Sequence, residues 1–488
     1  MPPRIFLLAA LAAGLANAQG LGLFEGHSDI GNVLHPGDAV FDPASKTYTV
    51  TGSGDNVWAS ADAFQFVWRK VDGDITISAD IAIAGQTGDP HRKAMLMIRQ
   101  TLDADSPYAD LALHGVGLTS LQARDSKGGI THELQSNLTA PRRARLVKRG
   151  PYFYMYLAQK EGDEPEMAGG VVRVPISGSY YIGIGVCAHN KDATVKAVFS
   201  NVELSIDRQR TTERYSTLQT IGVTSGDGRV AAVSTDRLES PTYTRNGKWL
   251  LFNTGGKLRR VPVDGGPQQE LDTGFAAHCN AFHGVSPDGL ILAFSDQSRD
   301  RGKSAVYVVP MMGGLPERVT AEAPSEFQAW APDGKSLLIY AEFPKKVKGL
   351  FSIPVIGGSE TFLANGLDGD YSPDGKYIYF TSTRSASPQI WRMQANGKSP
   401  EQITRDEFRN SRPHISPDGR LMAFLSLDRI KGNDTALRVM NLATKEVRVV
   451  AKFSGGVGSM DVGSWSPDSR RVAFVSYQTI CGTRKGCK

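Results

Sequence analysis

A four-residue turn, written Ser-Pro-Asp-Gly in its fullest form, recurs through the second half of the chain and constrains the fold more than any other feature. It stands at Ser286-Pro287-Asp288-Gly289, Ser372-Pro373-Asp374-Gly375 and Ser416-Pro417-Asp418-Gly419. Variants occupy Thr244-Arg245-Asn246-Gly247, Ala331-Pro332-Asp333-Gly334 and Ser466-Pro467-Asp468-Ser469. Ser suits the first place of a type I turn, Pro presets φ at the second, and Gly tolerates positive φ at the fourth. Each copy therefore reads as a hairpin between two strands. Copies recur every 41 to 50 residues, a period that suits a unit of four short strands.

Apolar positions repeat in step with the turn. One residue before it stand Tyr243, Val285, Trp330, Tyr371, Ile415 and Trp465; six after its first residue stand Leu250, Leu292, Leu337, Ile378, Met422 and Val472. Eight after come Phe252, Phe294, Ile339, Phe380, Phe424 and Phe474, and the places between hold Leu251, Ala293, Leu338, Tyr379, Ala423 and Ala473. A strand apolar on both faces must be covered on both. A radial stack of small sheets supplies that cover, which predicts a six-bladed β-propeller. After Phe474 too few residues remain for two more strands, so residues 216–235, with a turn at Ser225-Gly226-Asp227-Gly228, are expected to close the last blade.

The repeated turn, followed by a basic residue at Lys248, Lys335, Lys376, Arg420 or Arg470 and then the apolar strand, resembles the propeller repeats of TolB-type periplasmic proteins. The likeness runs over roughly residues 216–488 and implies the propeller fold. TolB itself carries an α/β domain ahead of its propeller, and no such pattern is read here.

Residues 24 to about 205 lack the repeat. Short β-rich runs at 75–83, 94–98, 109–113, 145–147, 152–157, 181–186 and 195–202, bounded by Gly, Asp or Pro, predict a β-sandwich. The segments "GDITISADIAI", "KAMLMIRQTLDADSPYADLALHG", "RARLVKRGPYFYMYLA" and "YYIGIGVCAHN" are similar to the concanavalin-like jelly-roll domains of exported bacterial proteins. That resemblance implies two antiparallel sheets whose concave face, in several relatives, holds carbohydrate. The expected fold class is all-β: a jelly-roll sandwich at 19–210, then a propeller at 216–488.

The first residues indicate a compartment. Arg4, an apolar run at 5–15 and Ala16-Asn17-Ala18 have the order of a secretory signal cleaved after Ala18, so a periplasmic or secreted location is expected. No later stretch is apolar enough to span a membrane. A formal charge of +5 over 488 residues is too dilute for a nucleic-acid partner. The run Arg142, Arg143, Arg145, Lys148 and Arg149 is interleaved with Leu146 and Val147, as in a solvated sheet strand. Trp58 and Trp68 lie in strand-like runs and read as packing residues. Among four cysteines, Cys481 and Cys487 are candidates for a local disulfide, and Cys187 and Cys279 for strand positions.

Catalytic motifs are scarce: there is no G-x-S-x-G, no H-E-x-x-H and no Walker loop. The polar residues that remain lie two to six places before each turn, where inner strands approach the channel away from the turn. They are Glu239, Asn280, His283, Glu326, Asp368, Asp370, Asn410, Arg412, His414 and Asp461. Their carboxylates are expected to form a solvated acidic ring that holds a cation, a basic peptide or sugar hydroxyls. Two functions follow. One is an exported binding module, its sandwich and propeller mouth taking a glycan or another envelope protein. The other is a metal-dependent polysaccharide lyase, because His283 and His414 resemble the channel histidines of oligogalacturonate lyases; His278 is the third candidate. That alternative implies a divalent cation in the channel.

Overall fold

The turn chemistry reappears as hydrogen bonds. In the copy at 416–419 the Gly419 amide donates to the Ser416 carbonyl (2.8 Å). The Ser416 hydroxyl donates to Asp418 Oδ1 (2.6 Å) and accepts from the Leu421 amide (2.9 Å), tying the turn to the strand it starts. The copies at Ser286, Ser372 and Ser466 make the same set. In the last, Ser469 stands in glycine's place with φ of 61°.

The computed structural model describes residues 20–205, 213–342, 347–427 and 434–480. The signal-like segment 1–18 and the Cys481–Cys487 pair lie outside them. The described chain is all-β apart from the 3-10 turn Asp300–Gly302.

Five four-stranded antiparallel sheets follow one another, each led by an inner strand that runs into the repeated turn. Their inner strands are Leu238–Tyr243, Cys279–Val285, Ser325–Trp330, Leu367–Tyr371 and Arg409–Ile415. We number these sheets blades 1 to 5. The repeated apolar positions pack them face to face: Leu251 of blade 1 lies against Leu292 and Phe294 of blade 2, and Ala293 of blade 2 against Leu337 and Ile339 of blade 3. The series continues through Leu338 on Ile378 and Phe380, then Tyr379 on Met422 and Phe424. Ala423 then meets Val472 and Phe474, and Ala473 meets Leu250 and Phe252 of blade 1.

Where six blades are expected, five four-stranded sheets are found. Strand Arg471–Ile480 pairs along its length with Glu213–Gly222, which pairs in turn with Gly228–Ser234. A single bridge, Trp465 to Val472, stands where an inner strand would run. The preceding segment is rich in glycine, at Gly455, Gly456, Gly458 and Gly463, and folds back on Asp461 through the Gly458 amide (2.7 Å) instead of extending. These three strands also belong to a larger sheet. Leu134 and Gln135 pair in parallel with Gly228 and Arg229, giving ten strands that run from the N-terminal half into the propeller.

The N-terminal half is two antiparallel seven-stranded layers. One runs in the order Gly26–Ile30, Phe64–Val71, Tyr180–Cys187, Lys93–Arg99, Tyr108–His114, Thr119–Arg124, His132–Gln135. The other runs Glu166–Arg173, Tyr152–Ala158, Arg143–Arg149, Ile75–Ile83, Val195–Ser205, Thr47–Gly52, Asp38–Asp42. Leu96, Ile98, Leu111 and Ile184 of the first meet Ile77, Leu146, Phe153 and Phe199 of the second in one core. The basic run lies on an inner strand of the second layer, paired on both sides, with its arginines tied to acids: Arg143 pairs with Asp80 and Glu203, and Arg145 with Glu164. Cys187 and Cys279 are buried and free. No helix among the described residues is long and apolar enough to cross a membrane.

Candidate functional site

Every inner strand carries a register break at one level of the channel: Glu239/Thr242, Cys279/His283, Phe327/Ala329, Leu367/Asp370 and Ser411/His414. A bulge of this kind re-aims side chains. At three of them a residue other than glycine takes left-handed backbone, namely Ser240 (φ 51°), Asp368 (φ 53°) and Arg412 (φ 56°). Strain of this sort, about 1–3 kcal/mol per residue, persists where surrounding contacts enforce it.

Those contacts converge on Asp461, whose carboxylate is fully buried. Arg412 Nε donates to its Oδ1; the Ser240 hydroxyl (3.2 Å) and the Gly458 amide (2.7 Å) donate to Oδ2. Asp368 is buried beside them with Oδ2 unpartnered. Burial raises its pKa, Arg412 opposes that rise, and Asp461 adds to it. Glu326 accepts from Asn280 Nδ2 (3.4 Å); burial, then the charges of Asp461, Glu342 and Asp368, push it up to about 7. Glu239 is paired with Arg237 (2.6 Å), which lies over the Tyr477 ring.

The expected ring is thus only partly a solvated acidic ring. Asp368 and Asp461 are buried, and Arg412 sits among the carboxylates, because bulges turn Asp368 and Arg412 inward and the glycine-rich segment folds back on Asp461. His414 contacts Asp370 Oδ2 through Nδ1 (3.4 Å) and the Met460 carbonyl through Nε2 (3.3 Å). His283 is fully buried and neither ring nitrogen makes a hydrogen bond of good geometry. Burial lowers its pKa to about 4, against the pull of the Leu251 and Ala281 carbonyls. Asn410 leaves the group altogether. It is bound inside blades 4 and 5 to Gln389 Oε1 (2.9 Å) and Asp406 Oδ1 (2.7 Å), and accepts from Ser426. His278 is exposed, away from His283 and His414. Among the described residues, no three His, Cys, Asp or Glu side chains gather as a metal ion requires.

A cavity of about 310 Å³ opens at the turn end of the channel. Tyr243, Trp330, Tyr371 and Trp465 wall it, Pro287, Pro332, Pro373 and Pro417 rim it, and His283, Gln328 and Asp370 line it. The indole N–H groups are tied to backbone carbonyls, Trp330 to Gly284 (2.9 Å) and Trp465 to His414 (2.8 Å). Arg245 takes the first proline position and donates to the carbonyls of Ser286 (2.9 Å) and Val285 (2.8 Å). Reading the position before the turn as core alone missed this wall. The available signal was that four copies of the turn are preceded by a Tyr or Trp where Val285 and Ile415 suffice.

A second polar cluster lies in the sandwich. Asp62 binds Arg124 (2.7 Å) and Arg99 (3.4 Å) with all three side chains fully buried. Lys93 donates to Asn56 Oδ1, the Val57 carbonyl and Gln122 Oε1 and lies over Trp58. Trp68 packs edge-on against Tyr181.

Comparison with known proteins bears on this architecture. The TolB beta propeller domain model matches residues 359–480. An uncharacterized protein of Agrobacterium fabrum is 38% identical over 272 residues, 54% of this chain and 92% of the relative. The chain belongs to the TolB-like β-propeller family. A solved structure described as a TolB from Agrobacterium tumefaciens is 35% identical and covers 55% of this chain and 100% of its own, with a TM-score of 0.52. The Tol-Pal system protein TolB of Alcanivorax borkumensis is 34% identical over 112 residues, 22% of this chain and 24% of that protein. The chain therefore spans about a quarter of that TolB, and its likeness to the family lies in the propeller.

Proposed function

We propose that this TolB-like chain is an exported recognition protein that holds a segment of another envelope protein at the turn end of its propeller channel. The observation that carries the reading is the cavity walled by Tyr243, Trp330, Tyr371 and Trp465 and rimmed by four prolines, of which Pro287, Pro373 and Pro417 are exposed. Aromatic walls whose N–H groups are already satisfied offer flat apolar faces, which suit an extended peptide better than a small polar solute. The name of a relative, a Tol-Pal system protein, favours a partner in the envelope. Export after Ala18, with domains at 19–210 and 216–488, belongs to the same reading.

The reading includes a sixth blade. Residues 213–234, Arg471–Ile480 and the Trp465 bridge occupy the gap between blade 5 and blade 1, and the apolar contacts on both sides continue the series. Closure by strands from both ends of the domain removes the open edges.

A photo-crosslinking residue at Pro332, introduced in cells, tests the proposal. The expected result is one dominant adduct with an envelope protein, lost when Trp330 and Tyr371 are both changed to Ala. Adducts that persist in that double variant, or none at all, would overturn it.

A second reading, a glycan on the sandwich, is favoured by Trp58 beside the polar row of Lys93, Gln122 and Glu133. A polysaccharide array with a Trp58→Ala variant tests it. The lyase alternative has less support, since His278, His283 and His414 do not converge.

A further inference from the structure

We propose that the end of the channel away from the repeated turn is a seat for one organic cation, the guanidinium or ammonium of a basic peptide side chain, held between Asp368 and Glu326. The inference deepens the reading of the channel as the ligand site and rests on it. Three observations carry it, and the first is a count of charge. Around this end stand the carboxylates of Glu239, Glu326, Asp368 and Asp461 and the guanidiniums of Arg237 and Arg412. Arg237 is engaged by Glu239, and Arg412 binds Asp461 with Asp368 beside it, so four carboxylates share two guanidiniums.

The second is an unmet hydrogen-bonding demand. Asp368 Oδ2 is buried without a hydrogen-bond partner. A buried acceptor in that state is costly, and a bound donor removes the cost at Asp368. The third is that Asp368 is fixed in left-handed backbone at a bulge, a position that aims its carboxylate at the cost of strain. An anion is excluded by the charge. A bare metal ion is disfavoured by the absence, among the described residues, of three converging ligands. A cation with directional N–H groups matches both carboxylates.

Proton linkage follows from Glu326. It faces Asp461 from the glycine-rich segment, Asp368 from blade 4, Glu342 and Tyr340 from its own blade, and Asn280 from blade 2. His283, held down near 4, stays neutral over the range of interest. A seated cation favours the ionised form, so binding strengthens as pH rises through about 7 and releases a proton below it.

The experiment is calorimetry on the full chain with N-acetyl-argininamide, N-acetyl-lysinamide and the neutral N-acetyl-glutaminamide at pH 5.5 and 8. The two cationic probes are expected to bind, about tenfold more tightly at pH 8, with the neutral probe silent. Asp368→Asn, chosen because Asn tolerates left-handed backbone, and Glu326→Gln should each weaken binding tenfold or more while a thermal melt shows them folded. Equal binding of the neutral probe, no binding of any probe, or cationic binding indifferent to both substitutions would overturn the proposal. Calcium binding without a response to argininamide would overturn it in favour of a bare ion. A single residue has no chain to lie along the aromatic wall, so failure here leaves the turn-end reading standing, and failure of the crosslink leaves the probe's result intact.

Discussion

The two halves of the molecule bury their interiors by opposite means. The propeller repeats one apolar contact around the ring, Leu251 on Phe294, Leu338 on Phe380, Ala473 on Phe252, and keeps buried charge near its channel. The sandwich has one large core between its layers and a second cluster around Phe64, Phe66, Met95 and Met97, and it buries Asp62, Arg99, Arg124 and Lys93. Stability that is copied spreads evenly, whereas stability hung on one carboxylate is lost with it.

The sharpest break of this contrast is Asp62→Ala. It leaves two buried guanidiniums without their counter-ion, and removing one partner of a buried pair costs about 3–5 kcal/mol. We expect the upper end of that range in urea unfolding followed by circular dichroism, with the loss assigned to the sandwich by the fluorescence of Trp58 and Trp68. Next in size is a matched pair in the propeller, Phe474→Ala and Phe380→Ala. Large core aromatics cost about 3–5 kcal/mol when truncated, and the lower end is expected here because each sits in a small apolar cluster between neighbouring sheets. Equal losses would put Phe474 in a full blade interface; a loss below about 1 kcal/mol for Phe474 alone would leave the ring open there.

This contrast also explains what was legible beforehand. The turn and its apolar frame recur, so agreement among copies exposes the inner strands, the blade faces and the family. The last unit departs because Gly455, Gly456, Gly458 and Gly463 carry no alternating pattern, and nothing local announces that Gly228 will pair with Leu134. In the sandwich, Lys93–Arg99 shows its apolar run but not that both terminal charges are buried; the partners Asn56, Asp62 and Gln122 come from distant strands and loops. The site was legible as a set of positions only. That Asn410 turns into its blade, that Arg412 neutralises Asp461, and that the cavity opens at the turn end depend on bulges whose residues have no sequence signature.

The channel is where the propeller resembles the sandwich, and pH probes it. Glu326 has a folded pKa near 7 against an ordinary value of 4.5, so the folded state holds its proton more tightly. Its relative stability is highest below 4.5 and declines as pH rises through about 7. Glu326→Gln should remove that decline, roughly 1–2 kcal/mol between pH 5 and 8 once partial solvent screening is allowed for. Chemical denaturation of both proteins across that range measures the difference; parallel curves would mean the carboxylate is solvated.

The smallest effect tests repetition itself, because blade 3 carries a natural deletion. At Ser286, Ser372, Ser416 and Ser466 the hydroxyl donates to the Asp two places on and accepts the amide that opens the next strand; Thr244 does the same with Asn246 and Trp249. Ala331 lacks the hydroxyl, although its turn keeps the Gly334 amide on the Ala331 carbonyl (2.9 Å) and Asp333 beneath the Lys335 amide (2.9 Å). The backbone is therefore already arranged for a serine. A hydrogen bond of this kind is worth about 0.5–1.5 kcal/mol net, and both partners in blade 3 are in place. Ala331→Ser should stabilise the propeller by about 1 kcal/mol, and Ser416→Ala should destabilise it by a similar amount, since the two substitutions exchange the same bonds in opposite directions. Denaturation midpoints at constant slope measure both. If Ser416→Ala costs its bond and Ala331→Ser gains nothing, the copies are alike in sequence without being equivalent in energy, and stability in the propeller is not spread as its repetition implies.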